Sequence, residues 1–112
     1  GKITCSAAFK ISRDLNAPPA RVGTVIDLLE VRIEKCQLGL FGYRPTWRIV
    51  KPAESVSPQL AENIKGSLVD NRLPCALSWE IAKKLGLAKM DVSSACETLG
   101  IKISSCQLGS FR

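Results

Sequence analysis

A chain of 112 residues suffices for one compact domain or two very small ones, and its 46% apolar content is typical of globular proteins rather than disordered ones. No apolar run approaches the ~20 residues that a membrane span needs, and no secretory signal pattern opens the sequence, so we expect a cytoplasmic protein without a membrane partner. The net charge of +6 permits binding to a polyanion without requiring it. The chain has no histidine, which is the commonest general base and metal ligand, and no glycine-rich phosphate loop, so we expect neither an enzyme nor a cofactor.

The sequence contains an internal repeat. A shift of 70 positions aligns residues 2–42 with 72–112 without a gap and gives eleven identities in 41 positions. Average residue usage would give only about two or three by chance. The identities include the run Cys36-Gln37-Leu38-Gly39, which recurs as Cys106-Gln107-Leu108-Gly109. We therefore divide the chain into a first repeat with a basic hairpin, 1–56, and a second repeat, 57–112, which can pack as one compact domain.

The first repeat begins with two predicted helices. The first spans about Ser6–Leu15 with Ser6 as N-cap, and a turn centred on Asn16 follows, because asparagine readily adopts the left-handed conformation that ends a helix. The second spans about Pro18–Glu30, with apolar residues on one face at a helical spacing. The alternating residues 31–34 then indicate a strand.

A hairpin and a further helix are predicted between the repeats. The β-rich runs 31–38 and 46–50 flank glycines and a proline, which indicates a hairpin with a loop of several residues. After it, Ser57-Pro58 has the pattern of a helix N-cap followed by a first-turn proline, and we expect this helix to end near Asp70-Asn71.

The second repeat has the same pattern as the first. Helices are predicted at about Ala76–Leu85 and Lys89–Leu99, with Gly86 in the turn between them, and residues 101–104 alternate like a strand. The fold class expected from the whole chain is therefore α+β and mainly α, with two helix-turn-helix repeats and a short β-hairpin.

The segment 79–94 resembles the helix-turn-helix of bacterial transcription regulators. The small residue that faces the partner helix is Ala82, the turn glycine is Gly86, and the apolar anchors are Ile81, Leu85 and Val92. With a helix before it and a strand after it, the region 57–112 is similar to a winged helix-turn-helix domain. The first repeat departs from the motif, with Ser12, Asn16 and Ala17 in place of the alanine, the glycine and the leucine that follows it. The resemblance implies duplex DNA binding, with the second helix of each pair in a major groove.

Candidate DNA-binding residues are the polar side chains of the two second helices and the arginines of the hairpin. Side chains of these types contact phosphates or base edges, and a basic hairpin with interleaved aromatic residues is typical of a wing. The candidates are Arg21, Thr24, Arg44, Arg48, Lys89, Ser93 and Ser94. A hairpin merely solvated at the surface, with Trp47 packed on the core, is an equally acceptable interpretation.

The repeated cysteines support a different hypothesis. If the leading strand of each repeat pairs with the strand after its second helix, Cys5 comes near Cys36, and Cys75 comes near Cys106. These four thiols could then form a metal site or a redox pair. No Cys-x-x-Cys spacing is present, and reduced cysteine commonly packs as a small apolar residue.

The sequence thus predicts a DNA-binding transcriptional regulator whose partner is duplex DNA, with a second copy of the chain or another regulatory protein as a further partner. A protein-interaction adaptor on the same fold and a cysteine-based metal or redox sensor remain as alternatives.

Overall fold

The computed structural model describes all 112 residues and is an α+β fold in which helices predominate, covering 46% of the chain. In chain order the elements are β1 Lys2–Thr4, α1 Cys5–Asp14, α2 Pro19–Leu28, β2 Arg32–Glu34, α3 Pro58–Gly66, β3 Leu73–Pro74, α4 Cys75–Leu85, α5 Lys89–Leu99 and β4 Ile103–Ser104. None of these helices has the length and apolar character needed to cross a membrane.

Each repeat folds as strand, helix, helix, strand. The two strands pair in parallel, with Ile3 opposite Ile33 in the first repeat and Leu73 opposite Ile103 in the second. The turns between the helices confirm the predicted conformation, since Asn16 has φ +51° and Gly86 has φ +68°. The five predicted helices are all present, and α5 has the predicted bounds.

Three helix ends differ from the prediction by two or more residues in their cap or last position, one of them the end of α2, which is Leu28 rather than Glu30. Thr4 rather than Ser6 caps α1, because β1 leads directly into the helix and the Thr4 hydroxyl accepts a hydrogen bond from the backbone N–H of Ala7 at 3.1 Å. Helix α3 ends at Gly66 instead of near residue 70. Asp70 and Asn71 both have positive φ, and they form a tight turn closed by backbone hydrogen bonds between Val69 and Arg72.

The predicted pairing of residues 31–38 with 46–50 in a hairpin was wrong. The strand Arg32–Glu34 pairs with Lys2–Thr4, and residues 46–50 form no strand beside it. Antiparallel pairing is limited to one bridge, where Tyr43 and Trp47 exchange two backbone hydrogen bonds of 2.9 and 3.0 Å. The parallel partner precedes β2 by about thirty residues, so the local turn signals gave no indication of it.

The chain forms two compact units, which divide it differently from the predicted 1–56 and 57–112. Unit 1 comprises Gly1–Ile49 together with Cys106–Arg112, and unit 2 comprises Val50–Ser105. The last seven residues belong to unit 1 because Leu108 packs against α2 at Gly23 and Phe111 contacts Phe41 edge-on, with ring centroids 6.3 Å apart.

Unit 2 is a three-helix arrangement in which α3 packs against both α4 and α5. The N-terminus of α3 is capped as the sequence predicts, since the Ser57 hydroxyl accepts a hydrogen bond from the backbone N–H of Leu60 at 3.2 Å. One apolar cluster fills the space between the helices and β3; its buried members are Leu60, Ile64, Leu73, Ile81, Ala82, Val92, Ala95 and Cys96. Unit 1 contains only α1, α2, β1 and β2 as regular elements.

Candidate nucleic-acid interface

A cleft of about 410 Å³ in unit 1 is lined by cationic and aromatic side chains, among them Tyr43 and Trp47. Its cations come from two neighbouring strands and one turn. Lys2 of β1 lies opposite Arg32 of β2 in the parallel register, which places the two side chains on the same face of the strand pair. Arg44 adds a third cation, while Asp27 and Glu34 also line the cleft. The cations therefore exceed the acids by one at the cleft itself.

The turn Tyr43–Trp47 forms one wall of the cleft and is held in place by specific contacts. The Tyr43 hydroxyl donates a hydrogen bond of 2.6 Å to the backbone carbonyl of Cys36. Burial raises the pKa of the Tyr43 phenol, with smaller contributions from nearby Cys36 and Cys5. Gly42 has φ +84°, and a Cβ there would lie 2.6 Å from backbone atoms of Glu34 and Lys35. The turn can approach β2 this closely only because residue 42 is glycine.

Trp47 is exposed although it is a large aromatic residue. Its side chain is 56% exposed, and its ring is tilted against that of Phe41 at a centroid distance of 6.2 Å. The alternative in which Trp47 packs on the core is therefore wrong. Arg44 and Arg48 are also exposed, on either side of this ring in the sequence. Such an arrangement can contact phosphates with its cations and a base or sugar with its ring.

Arg21 and Thr24 lie on exposed positions of α2, three positions apart and therefore on neighbouring turns of one side of the helix. Thr24 is also three positions before Asp27, and this stripe reaches the cleft because Asp27 lines it. The Thr24 hydroxyl donates to the backbone carbonyl of Ala20 at 3.0 Å, and its oxygen still has capacity to accept.

The predicted contacts on α5 are less accessible than those on α2. Ser93 is 1% exposed and its hydroxyl donates to the carbonyl of Met90 at 3.1 Å, so the prediction that it reaches DNA was wrong. The Lys89 ammonium lies 4.3 Å from the centroid of the Trp79 ring, in a cation–π contact. The apolar pattern of α5 assigned Ser93 to the outer face, because only apolar residues such as Val92 and Ala95 were expected to be buried. The buried face of α5 is wider than these apolar residues and includes Ser93.

The backbone of Ala53 also lies against α5 near Ser94 and Thr98. The backbone N–H of Ala53 donates to the carbonyl of Ser94 at 3.1 Å, and the Thr98 hydroxyl donates to the carbonyl of Ala53 at 2.7 Å. Ser94 is half-buried, and Ala53, near the start of unit 2, lies beside it. Of the seven predicted contacts, the four exposed ones belong to unit 1: Arg21, Thr24, Arg44 and Arg48.

The cysteines form no metal-binding cluster. Nowhere in the chain do three or more Cys, Asp or Glu side chains gather in a group able to hold a metal ion, so the four-thiolate hypothesis for Cys5, Cys36, Cys75 and Cys106 gains no ligand set. All five cysteines are free thiols. Burial raises the pKa of the Cys36 thiol, and nearby Cys106 adds to the effect.

Lys2 and Arg32 were not among the predicted contacts. The structure does pair the leading strand with the strand after the second helix, as the cysteine hypothesis assumed. Applying that pairing to the charged residues is the only route by which the sequence could have identified Lys2 and Arg32.

Comparisons with protein-family models, with curated proteins and with solved structures find no match to this chain.

Proposed function

We propose that this protein binds duplex DNA through unit 1 and acts in transcriptional control. The observation that carries the proposal is the cleft lined by Lys2, Arg32 and Arg44 beside the exposed Trp47 ring. Three cations on one concave surface fit a phosphate backbone, and the projecting turn Tyr43–Trp47 is the short counterpart of a wing. The net charge of +6 favours the same kind of partner.

Helix α2 is the reading helix in this proposal, and α5 is not. The stripe containing Thr24 reaches the cleft at Asp27. Phosphate contacts at Arg32 and Arg44 would therefore bring this stripe close to the major groove of the DNA. Asp27, on the same stripe, can accept a hydrogen bond from a cytosine amino group, which would favour some sequences over others. In unit 2 the corresponding face of the second helix is bordered by Ala53.

The test compares two residues at equivalent positions of the repeats. Arg32→Ala removes a cleft cation, and Lys102→Ala removes the cation that lies 70 positions later, in unit 2. Fluorescence anisotropy with a labelled mixed-sequence duplex should show weaker binding for Arg32→Ala and for Arg44→Ala, with binding by Lys102→Ala unchanged. Equal losses in Arg32→Ala and Lys102→Ala would show that binding depends on general charge and would reject the cleft as the site.

One observation favours the adaptor as a second candidate function. Five aliphatic side chains of α1, α2 and the residues just after each helix are more than a third exposed: Ile11, Leu15, Val25, Leu28 and Leu29. Aliphatic surface of this extent is typical of a protein-binding face. Pull-down with a candidate partner in the absence of DNA would distinguish this role from DNA binding.

A further inference from the structure

An exposed aliphatic face on unit 1 contrasts with its buried counterpart on unit 2. We define the α1/α2 face as the side chains of Ile11, Leu15, Val25, Leu28 and Leu29. Leu15, Leu28 and Leu29 are 72%, 76% and 68% exposed. Large aliphatic side chains rarely remain so exposed as a group in a monomeric protein.

The internal repeat shows how such a face is buried. Ile11 corresponds to Ile81, which is 4% exposed, and Val25 corresponds to Ala95, which is 1% exposed. Both counterparts belong to the cluster that α3 completes with Leu60. Unit 1 contains no third helix. Leu15 and Leu29 correspond to Leu85 and Leu99, which pack against the same cluster, whereas Leu28 corresponds to the exposed Thr98. Apart from Leu28, the α1/α2 face is therefore the same helix-pair surface without the helix that covers it.

We propose that the α1/α2 face is a dimer interface, and that a second copy of this chain covers it. Two helix pairs facing each other form a four-helix arrangement, in which each copy supplies aliphatic side chains that the other lacks. A two-fold interface must be complementary to itself, and an aliphatic face bordered by charges of both signs meets that condition.

The charges on α2 specify the direction of the pairing. Arg21 lies in the first turn of α2, whereas Glu30 follows the C-cap Leu29 at the other end of the helix. When two α2 helices pack antiparallel, Arg21 of each copy approaches Glu30 of the other. Parallel packing would instead place like charges together. The face thus favours an antiparallel, two-fold related pair.

Sedimentation equilibrium of the full chain, without DNA, tests the proposal. The wild type should change from 12.1 kDa to twice that mass as its concentration rises from micromolar to millimolar. Leu28→Glu, and independently Leu15→Glu on the other helix, should raise the dissociation constant at least tenfold, because a carboxylate would be buried against aliphatic side chains. Both residues are exposed, so circular dichroism should confirm that both variants fold.

Val69→Glu is the matched control, since Val69 is a 55% exposed aliphatic residue in unit 2. Its dissociation constant should equal that of the wild type. Arg21→Glu should weaken the dimer, and the double variant Arg21→Glu/Glu30→Arg should restore it by reversing the pair. A wild type that stays at 12.1 kDa throughout, or equal dissociation constants for Leu28→Glu and Val69→Glu, would overturn the proposal.

Discussion

Gly23 in the middle of α2 gives the sharpest test of how the last seven residues join unit 1. A Cβ built at this position would lie 1.9 Å from the backbone oxygen of Leu108 and 2.7 Å from its carbonyl carbon. The obstacle is backbone, so a side-chain rotation cannot relieve the contact, and residues 106–112 must move away from α2. We therefore expect Gly23→Ala to destabilise the protein although alanine is the better helix former.

The magnitude follows from opposing contributions. Alanine in place of glycine inside a helix gains about 1 kcal/mol of stability. Overpacking against a fixed backbone costs about 1–3 kcal/mol, and displacement of the tail would also expose Leu108, which is only 3% exposed, and separate Phe111 from Phe41. Loss of such an aromatic pair costs about 0.5–1.5 kcal/mol. The free energy of unfolding should thus fall by about 1–3 kcal/mol.

Urea denaturation followed by circular dichroism measures this change, and Gly66→Ala is its control. Gly66 is also a helical glycine, at the end of α3, but its Cβ would meet nothing within 4 Å. We expect Gly66→Ala to be neutral or to gain up to about 1 kcal/mol. In a chain truncated after Ser105, Gly23→Ala should also become stabilising. If Gly23→Ala stabilised the full chain as much as Gly66→Ala, the packing of the tail on α2 would be refuted.

Three further substitutions test unit 2 by urea denaturation. Ile64→Ala should lower the free energy of unfolding by about 2–5 kcal/mol, because Ile64 is fully buried in the cluster of α3, α4 and α5; a loss below 1 kcal/mol would contradict that packing. Gly86→Ala should cost about 1–2 kcal/mol, since φ is +68° and the Cβ would meet no other atom; an unchanged stability would exclude the left-handed turn. Burial raises the pKa of the Cys96 thiol from 9.0 to about 11, so this thiol ionises at lower pH in the unfolded chain than in the folded one. The free energy of unfolding should therefore fall between pH 9 and 11, by up to about 1.4 kcal/mol per pH unit. Cys96→Ala should remove this part of the pH dependence, and an identical slope in both proteins would refute the shift.

The helices could be predicted from the sequence because their signals are local. The apolar spacing in α5, the Ser57-Pro58 start of α3 and the residues Asn16 and Gly86 each act within one or two helical turns. The repeat strengthened these predictions, because two independent copies showed the same pattern.

The strand pairing and the cleft could not be predicted in the same way. Parallel pairing of Arg32 with Lys2 joins residues about thirty positions apart, and no turn signal marks such a pair. Glycines and Pro45 instead favoured a hairpin, of which only the Tyr43–Trp47 bridge exists. The docking of Leu108 on Gly23 is similarly distant in sequence, and a helical glycine alone does not identify its neighbour.

The predicted contacts on α5 failed for a related reason. Periodicity identifies the face that packs on the nearest helix, but it does not show a second covering from a distant segment. Ser93 is buried, and Ala53 borders Ser94 through a backbone hydrogen bond. Neither contact has a signature within α5 itself.

The salt dependence of binding to a labelled duplex is the measurement that tests DNA binding at the cleft most directly. Phosphate contacts from Lys2, Arg32 and Arg44 predict that log K falls with log[salt] with a slope of about −2.7, or about 40-fold between 50 and 200 mM salt. Removing one contact, as in Arg44→Ala, should reduce that slope by about 0.9. Absence of binding at low salt, or a slope that is the same in the wild type and in Arg44→Ala, would contradict the account.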